Sequence, residues 1–389
     1  MVESSQLSVA ARAAIPPFHV MDVLSAANAR QRTHGDMISL AAGQPSAPAP
    51  APVIAAAAEA LRGQLGYTEQ LGIPELRAAI AGHYARTAGL DVSPAEVVVT
   101  TGSSGGFLLT FLAAFDVGDR VALARPGYPA YRNILTALGC EVVEVPCGPD
   151  TRFQPTVELL AGLGRLDGLV LASPANPTGT MLAAGELAAI AGWCAERGVQ
   201  LVSDEIYHGI DYGDEQAASA WQFSREAVVV NSFSKYFAMT GWRLGWLLVP
   251  DRLHRAVDCL TGNFTICPPA IAQHAAVAAC TDESYAELDG HVARYRRNRQ
   301  VLVDGLAALG IDRVAPVDGA FYAYADVSHL TGDSMSFCQR LLADTGVAIV
   351  PGIDFDPVDG HRSIRFSFAG ETAEISTALD RLGGWLRVR

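Results

Sequence analysis

The sequence predicts an α/β fold: a large domain with a mainly parallel sheet flanked by helices, plus a smaller α+β domain. Through the middle of the chain, short apolar runs rich in β-branched residues alternate with stretches of helical periodicity. Continuous apolar strands separated by helices are typical of a parallel sheet that is covered on both faces. A different pattern follows residue 284. We therefore expect a large domain at 46–284 and a small domain made of 1–45 and 285–389.

The elements of the large domain follow one another in a regular order. A helix at about 53–61 comes first, and Pro74 fits the first turn of the next helix. The predicted strands are 96–101, 120–124, 141–145, 168–172, 200–204, 227–232 and 244–249. The predicted helices between them are 105–115, 130–138 and 185–197. In such a sheet the ligand site lies at the carboxyl ends of the strands, so the residues after each strand are the candidates for function.

The small domain is predicted from both ends of the chain. Its C-terminal elements are helices at 284–309, at 335–345 and from Glu371, with strands at 319–327, 347–350 and 363–368. The first 45 residues have little periodicity, and Pro16-Pro17 is expected to break a short helical start. We expect this N-terminal segment to pack with the C-terminal elements.

Composition and charge argue against several classes of protein. Half of the 389 residues are hydrophobic and the net charge is −13, which disfavours nucleic acid and anionic membranes as partners. The sequence shows no apolar run of the roughly 20 residues that span a membrane, and no secretory signal pattern. Seven scattered cysteines without a Cys-x-x-Cys pair predict reduced thiols, with no metal or disulfide role. We expect a cytoplasmic protein.

Among the 28 lysine and arginine residues of the chain, Lys235 is the only lysine. A guanidinium stays protonated and is a poor nucleophile, whereas burial can remove the proton of an ε-amine, which then condenses with a carbonyl. The alternative is a surface lysine retained by chance, but the flanking residues are apolar and glycine-rich rather than a solvated run of charges. Lys235 therefore predicts amine chemistry.

Small and aromatic residues follow the first two strands. Ser103 and Ser104 lie in a glycine-rich turn that opens directly into a helix, and a helix N-terminus favours an anion such as phosphate. A simple tight turn and helix cap explains these two residues nearly as well. Tyr128 follows the second strand, where it either stacks on a planar ring or packs locally.

An amide and a carboxylate follow two later strands. The bond between Asn176 and Pro177 is a candidate for the cis form, and the Asn176 side chain is placed to donate to a ligand oxygen. Asp204 ends its strand, where a carboxylate entering the sheet is costly unless it meets a cation. A protonated heterocyclic nitrogen would be such a partner.

Three more polar residues lie near the lysine or on a late strand. Ser232, three residues before Lys235, and Arg243, eight residues after it, suit an anion close to the amine. Arg365 lies among apolar residues of a strand near the C-terminus, and its bidentate guanidinium matches a substrate carboxylate.

Together these residues suit an aldehyde cofactor that carries a phosphate and a pyridine ring, which is pyridoxal 5'-phosphate. Over nearly its whole length the chain resembles the fold-type I, class I/II pyridoxal-phosphate-dependent aminotransferases of the aspartate/alanine type. The motifs that carry the resemblance are Ser232-Phe-Ser-Lys235, Thr240-Gly-Trp-Arg243-Leu-Gly, Asn176-Pro-Thr-Gly179 and Asp204-Glu-x-Tyr207. The resemblance implies a transaminase that moves an amino group between an L-amino acid and a 2-oxo acid.

The resemblance also implies a role for each residue around the cofactor ring. Lys235 forms the aldimine and then moves the proton, a task that needs an amine with a pKa near the working pH. Asp204 faces the pyridine nitrogen and keeps it protonated. Tyr207 and Asn176 bond the ring oxygen, and Tyr128 stacks on the ring.

The same resemblance implies which residues bind the cofactor phosphate and the substrate carboxylate. The residues that hold the phosphate are Ser103, Ser104, Ser232 and Arg243. Tyr67 matches a tyrosine that reaches the phosphate of the neighbouring subunit, which implies a homodimer with shared sites. Arg365, together with Asn176 and the backbone of Gly43, binds the α-carboxylate.

Two departures from the family pattern bear on the substrate. In the aspartate-specific bacterial subgroup a lysine of the phosphate loop pairs with the distal carboxylate of the substrate, but the matching residue here is Ser104 and no second lysine exists. A neutral, aliphatic donor such as alanine or valine is therefore favoured, with pyruvate or 2-oxoglutarate as acceptor. The loop at 351–357 also departs from the family, and it is expected near the substrate entrance.

Three alternatives remain open from the sequence alone. Aspartate aminotransferase is the first. A pyridoxal-phosphate-dependent C–S lyase is the second, since the same cofactor site supports β-elimination. A non-catalytic cofactor-binding regulator is the third, but the acidic charge and the lack of a basic N-terminal helix-turn-helix argue against it.

Overall fold

The computed structural model describes residues 8–388, and its largest sheet has seven strands. The strands of the chain are β1 Ile38–Ser39, β2 Val97–Thr100, β3 Arg120–Arg125, β4 Glu141–Pro146, β5 Gly168–Ala172, β6 Gln200–Asp204, β7 Val228–Ser232, β8 Gly245–Leu248, β9 Tyr322–Asp326, β10 Val347–Ala348, β11 Val350–Pro351 and β12 Ser363–Ser367. The large sheet has the order β2-β8-β7-β6-β5-β3-β4, and only β8 runs antiparallel to its neighbours. The prediction of an α/β fold with a mainly parallel sheet is confirmed.

Helices cover both faces of this sheet. The helices are α1 His19–His34, α2 Ala51–Ala60, α3 Pro74–Ala88, α4 Gly102–Ala114, α5 Pro129–Leu138, α6 Val157–Ala161, α7 Ala184–Arg197, α8 Asp251–Phe264, α9 Ala270–Val277, α10 Asp282–Ala308, α11 Ser334–Thr345 and α12 Thr372–Arg387. Alternate residues of a strand point to opposite faces. In β2, Val97 and Val99 accordingly pack in one core cluster with α3 and α7, whereas Val98 packs in another with α4, α5 and α8.

Helix α3 shows how local sequence sets the bounds of an element. Pro74 is its first residue, as predicted, where the missing N–H removes no helical hydrogen bond. Gly89 follows its last residue with a φ of 62°, a left-handed conformation that glycine adopts without steric cost. The helix therefore begins and ends at residues whose backbone preferences fit those positions.

The C-terminal part of the chain builds a second, smaller sheet. Strands β11, β12 and β9 pair antiparallel in that order. Strand β1, from the N-terminal segment, pairs in parallel with β10 through Ile38–Val347 and Ser39–Ala348. The N-terminal segment thus contacts the C-terminal elements, while the division of the chain at residues 45 and 285 stays a prediction.

The N-terminal segment is the main correction to the predicted elements. Helix α1 occupies residues whose sequence has little periodicity. It buries only Val20 and Ala27, so its sequence carries no continuous apolar stripe. No neighbouring side chain caps its first turn; the carboxylate of Asp354 does so from more than 300 residues away. A helix stabilised in this way leaves little local signal.

Smaller differences concern the ends and number of the other elements. Helices α8 and α9 lie where no element was predicted. The strand expected at 319–327 is confined to Tyr322–Asp326, and the one expected at 347–350 is divided into β10 and β11 at Ile349. Within residues 8–388, no helix has both the length and the apolar character needed to cross a membrane.

Candidate active site

A cavity of about 940 Å³ lies at the carboxyl edge of the large sheet. Its walls include the ends of β5 and β6, the first turn of α4, the turn after β7, and parts of α1 and the small sheet. The predicted site residues that line it are Gly43, Ser103, Ser104, Tyr128, Asn176, Asp204, Tyr207, Lys235, Arg243 and Arg365. Ser232 and Tyr67 do not line it.

Lys235 lies in the turn after β7, with its amine in the cavity. Its Nζ donates a hydrogen bond to the carbonyl oxygen of Gly43. Burial lowers the pKa of Lys235 to about 8, and the nearby guanidinium groups of Arg365 and Arg243 act in the same direction, whereas Asp204 opposes the shift. A neutral amine is therefore available near neutral pH, which a nucleophile or a proton acceptor needs.

Asp204, the last residue of β6, is buried, with 4% of its surface exposed. Its Oδ1 accepts a hydrogen bond from the backbone N–H of Ile206 at 3.1 Å, and its Oδ2 accepts one from the hydroxyl of Tyr131. Burial raises the pKa of Asp204 to about 6, although both hydrogen bonds and the charge of Lys235 lower it. The carboxylate thus favours a cationic ligand in the cavity.

Tyr131 was not predicted as a site residue. It lies on the first turn of α5, three residues after Tyr128, and its hydroxyl contacts Asp204, 73 residues away in sequence. The rings of Tyr128 and Tyr131 meet edge to face, with centroids 5.2 Å apart. The spacing of the two tyrosines was visible in the sequence, but only the fold shows that Tyr131 reaches the carboxylate.

Tyr207 and Tyr322 form a second buried pair of tyrosines in the cavity wall. Their hydroxyl oxygens lie 2.7 Å apart, and burial raises the pKa of Tyr207 well above its ordinary value. Tyr322, on β9, was not predicted as a site residue. A Cβ at position 43 would come too close to this hydroxyl oxygen, so the glycine leaves room for Tyr322 in its present place.

The first turn of α4 and Arg243 form a site for an anion. Ser103 and Ser104 lie at the N-terminus of α4, where backbone N–H groups have no helical partner. A Cβ at Gly102 would lie 2.7 Å from Nη2 of Arg243, so this glycine lets the guanidinium approach the helix end. Arg243 donates to the carbonyl of Thr240 at 3.0 Å and has no ion pair within residues 8–388.

Ser232 lies beside the cavity but is not among the residues that line it, and its predicted role stays a prediction. Its hydroxyl oxygen lies 3.0 Å from the carbonyl oxygen of Leu244 and 2.8 Å from the hydroxyl oxygen of Ser234, and it accepts from the backbone N–H of Ser234 at 3.0 Å. Ser234 and Thr240 line the cavity. The side chain of Ser232 therefore holds the turn that carries Lys235, and the cavity wall is formed by residues two and eight positions later.

Arg365 on β12 is buried, with 2% of its surface exposed, and has no carboxylate partner within the described chain. Nη1 donates to Oδ1 of Asn176 at 2.7 Å, and Nη2 donates to the carbonyl of Ala41 at 2.8 Å. The guanidinium lies 4.3 Å from the ring centroid of Tyr322, and its Nε has no hydrogen-bond partner. A buried cation without an anion marks a place for a ligand carboxylate.

Comparison with known proteins decides the family. The model of the family "Aminotransferase class I and II" matches residues 35–382. The chain belongs to this family. Its curated relatives include a valine–pyruvate aminotransferase of Mycobacterium tuberculosis, 66% identical over 97% of this chain and 98% of the relative. An aspartate/prephenate aminotransferase of Thermus thermophilus is 36% identical over 95% of this chain and 96% of the relative.

Solved structures of aminotransferases share the fold over the whole length. A crystal structure of an aminotransferase from Mycobacterium tuberculosis has a TM-score of 0.97 and 65% identity, covering 99% of this chain and 100% of that one. The aspartate aminotransferase of Thermus thermophilus with maleate has a TM-score of 0.92 and 34% identity, covering 97% and 100%. This chain is thus an aminotransferase whose cofactor is pyridoxal phosphate, as the sequence predicted.

The residues around the cavity fit this cofactor. The buried carboxylate of Asp204 suits the protonated ring nitrogen, and the N-terminus of α4 with Arg243 suits the phosphate. Lys235 supplies an amine whose pKa is lowered, so that it can bond to the aldehyde. The charged parts of the cofactor and its aldehyde therefore each have a matching group in this chain.

Proposed function

We propose that this aminotransferase transfers the amino group of a neutral, aliphatic L-amino acid, with valine preferred, to pyruvate. The observation that carries the proposal is the make-up of the cavity wall. Within residues 8–388, the only cationic side chains in that wall are Lys235, Arg243 and Arg365. Each of them would have a partner in the cofactor or the α-carboxylate. The apolar residues that α1 and its flanks add are Phe18, Val20, Met21, Leu24, Ala27 and Met37. Such a wall suits an aliphatic side chain.

The phosphate loop supports the same choice. Ser104 lines the cavity where the aspartate-specific subgroup has a lysine, and residues 8–388 place no other cation in the wall. A distal carboxylate would be buried there without a partner, which is costly. The similarity to a relative named valine–pyruvate aminotransferase points in the same direction.

The catalytic roles that we propose rest on Lys235 and Asp204. Pyridoxal phosphate, when bound, supplies an aldehyde and a ring that withdraws electrons from the substrate Cα. Lys235 would take the proton from Cα and return it, because its pKa of about 8 allows both protonation states. Asp204, held by Tyr131 and the N–H of Ile206, would keep a proton on the ring nitrogen.

The remaining residues would hold and orient the two ligands. Tyr207 and Asn176 would face the ring oxygen, and Tyr128 would lie against the ring. The phosphate would be held by Ser103, Ser104, Ser232 and Arg243. Ser234, whose hydroxyl oxygen lies 2.8 Å from that of Ser232 and which lines the cavity, is a further candidate. Arg365 would bind the α-carboxylate with its unpartnered Nε, assisted by Asn176 and the backbone near Gly43.

A panel of amino donors tests the proposed substrate. We expect valine with pyruvate to give the highest kcat/KM, and aspartate with either pyruvate or 2-oxoglutarate to be at least about 100-fold poorer, because its distal carboxylate has no cation. Preferred use of aspartate would overturn the proposal. Steady release of pyruvate and ammonia from cystathionine, without any oxo acid, would favour the lyase instead.

Replacing Arg365 tests the carboxylate site. We expect Arg365→Ala to raise KM for all amino donors alike by about 30-fold or more, since a charge-assisted bidentate pair is lost. The measurement is KM for valine, alanine and aspartate in the wild type and the variant. Arg365→Lys, which keeps the charge but not the fork, should recover only part of the loss. An effect confined to acidic donors would show that Arg365 binds a side chain and not the α-carboxylate.

We also propose a homodimer in which Tyr67 completes the site of the neighbouring subunit. Tyr67 has 83% of its surface exposed, and Leu61 and Leu65 before it are exposed as well. The side chain of Gln273 donates to the hydroxyl of Thr68 and to the carbonyl of Pro268, and so joins this segment to the one that follows the exposed residues Phe264 and Ile266. An exposed apolar patch of this kind suits a protein partner.

Mixed dimers test whether Tyr67 works across the interface. We expect the protein to have the mass of a dimer in solution. We expect Tyr67→Phe to weaken cofactor binding about tenfold, because one hydrogen bond to the phosphate is lost. A dimer of one Tyr67→Phe chain and one Lys235→Ala chain should contain one intact site if Tyr67 serves its neighbour. If the site of the mixed dimer that carries Lys235 binds the cofactor as weakly as the Tyr67→Phe dimer does, Tyr67 acts within its own chain or not at all.

A further inference from the structure

The loop at 352–359 contacts both Arg365, which lines the cavity, and the N-terminal helix α1. Its residue Asp354 has 2% of its surface exposed, and its carboxylate faces the first turn of α1. Oδ1 accepts from the backbone N–H of His19 at 3.1 Å, and Oδ2 accepts from that of Val20 at 2.9 Å. Both carboxylate oxygens thus accept from backbone N–H groups that have no partner within the helix, which is the role of an N-cap side chain.

Asp354 is the cap that α1 lacks in its own sequence. Phe18, which precedes the helix, has no side-chain oxygen, and no local cap is formed there. A carboxylate at a helix N-terminus is also favoured by the helix dipole. The position of the first turn of α1 therefore depends on where the loop holds Asp354.

The loop itself is fixed to the cofactor-binding part of the chain. Arg125, at the end of β3, donates to Asp356 at 2.7 Å, and the N–H of Gly127 donates to the carbonyl of Phe355 at 3.1 Å. Gly352 and Gly360 lie in backbone contact that a Cβ on either residue would prevent. The loop is therefore a rigid connection and not a free hinge.

Two adjacent residues of this loop contact the two parts of the cavity that would bind the α-carboxylate and the side chain of an amino-acid substrate. The ring centroid of Phe355 lies 4.8 Å from the guanidinium carbon of Arg365, the proposed partner of the α-carboxylate. Asp354 holds the first turn of α1, whose Val20, Met21 and Leu24 form the apolar wall. Because Asp354 and Phe355 are adjacent, this short loop fixes the distance between Arg365 and the apolar wall formed by α1.

We propose that Asp354 is a specificity-positioning residue, which fixes the apolar wall at a distance from Arg365 that fits a branched side chain. This inference rests on the proposed function. Valine extends two carbons beyond the methyl group of alanine, so only the larger side chain needs the wall. If the first turn of α1 is loose, the affinity for valine falls. The affinity for alanine, which is the amino-acid product of the proposed reaction and the donor of its reverse, is nearly unaffected.

The test compares both half-reactions in Asp354→Ala and Asp354→Asn. In Asp354→Ala we expect KM for valine to rise about tenfold, with kcat within threefold and KM for alanine within twofold. Asp354→Asn keeps one accepting oxygen and should raise KM for valine by about threefold. Because the Asn variant retains this oxygen and the volume of the side chain, it also serves if the Ala variant does not fold.

Asp36→Ala is the matched control. Asp36 pairs with Arg30 at 3.0 and 2.8 Å and so holds the opposite end of α1. We expect this variant to leave both KM values within twofold. Hydrogen exchange at residues 19–22 should accelerate in Asp354→Ala and not in Asp36→Ala.

The possible outcomes separate this inference from the proposed function. If the wild type does not use valine, the proposed function is wrong. If it does, and Asp354→Ala raises KM for valine and alanine equally, or for neither, Asp354 does not position the wall. A tenfold rise for valine alone, accompanied by faster exchange in the first turn, supports the inference.

Discussion

Lys235→Ala is expected to lower transamination by at least about 10⁴-fold. The side chain supplies the only ε-amine of the chain, and among residues 8–388 no other group in the cavity wall combines nucleophilicity with a pKa near neutrality. Asp204 has to stay ionised to hold a cation, and Tyr207 is too weak an acid, because burial raises its pKa well above the ordinary value. No neighbour can therefore take over the proton transfer.

The single lysine makes the measurement unusually clear. Borohydride should fix the cofactor to the wild-type chain at Lys235, and peptide mapping has only one ε-amine to distinguish from the terminal amine. The Ala variant should still bind the cofactor through Asp204, Arg243 and the helix N-terminus, but the cofactor should leave on denaturation. Half-transamination with valine, followed by absorbance, reports the loss of activity.

Lys235→Arg is the matched variant, because it keeps a cation of similar length in the cavity. A guanidinium stays protonated, so we expect its activity to be as low as that of the Ala variant. The wild-type rate should rise with pH towards about 8, as the fraction of neutral Lys235 grows. Substantial activity in the Arg variant would show that only the charge at this position matters.

The sequence predicted the sheet and most of the cavity because these depend on local patterns. Continuous β-branched runs mark buried parallel strands, and the residues directly after them, such as Asp204 and Lys235, meet at one edge. The motif resemblance then assigned chemistry to these residues. The boundaries of the central strands differ from the prediction by at most two residues at either end, as expected where periodicity is strong.

The parts that were missed depend on contacts that are distant in sequence. Tyr131 reaches Asp204 across 73 residues, and Tyr322 pairs with Tyr207 across 115. Helix α1 is capped across more than 300 residues by Asp354. A tyrosine or an aspartate carries no local mark of such a role. Its partner is known only when the chain is folded.

Ser232 and Ser234 show a different limit. Both lie within three residues of Lys235, but only Ser234 lines the cavity, while the hydroxyl oxygen of Ser232 lies 3.0 Å from the carbonyl oxygen of Leu244 and 2.8 Å from the hydroxyl oxygen of Ser234. Sequence spacing gives the neighbourhood of a side chain but not its direction. In a tight turn after a strand, the direction changes with every residue, so Ser234 faces the cavity instead.

Asp204→Asn should lower activity by about 10³-fold while making the ligand-free protein more stable above pH 6. The amide is neutral and cannot hold a proton on the ring nitrogen by charge, so the electrostatic support of the reaction is lost. The variant should fold, because its amide oxygen can accept from the N–H of Ile206 and its NH₂ can donate to the hydroxyl of Tyr131. The loss of activity and the gain in stability thus both follow from the removal of the buried negative charge.

The sign of the stability change follows from the raised pKa. Asp204 has a pKa of about 6 in the folded chain against an ordinary value of 3.8, so the folded state holds the proton more tightly. The protonated carboxyl group therefore contributes to the free energy of unfolding below pH 4, and this contribution is lost as the pH rises through 6. The loss amounts to about 3 kcal/mol. In the Asn variant this loss is absent. Denaturation midpoints of the ligand-free proteins between pH 4 and pH 8 measure the difference.

Glu205→Gln is the control that separates burial from catalysis. Glu205 is the next residue, is equally buried and has a pKa raised to about 7, but it accepts from Ser203, Ser219 and the N–H of Ala220 and does not line the cavity. We expect its amide variant to gain stability at high pH in the same way, with activity within about threefold of the wild type. If both amide variants lost activity alike, the carboxylate of Asp204 would have no special place beside the cofactor. A loss in Asp204→Asn alone identifies it as the counter-charge that this fold keeps buried at a cost in stability.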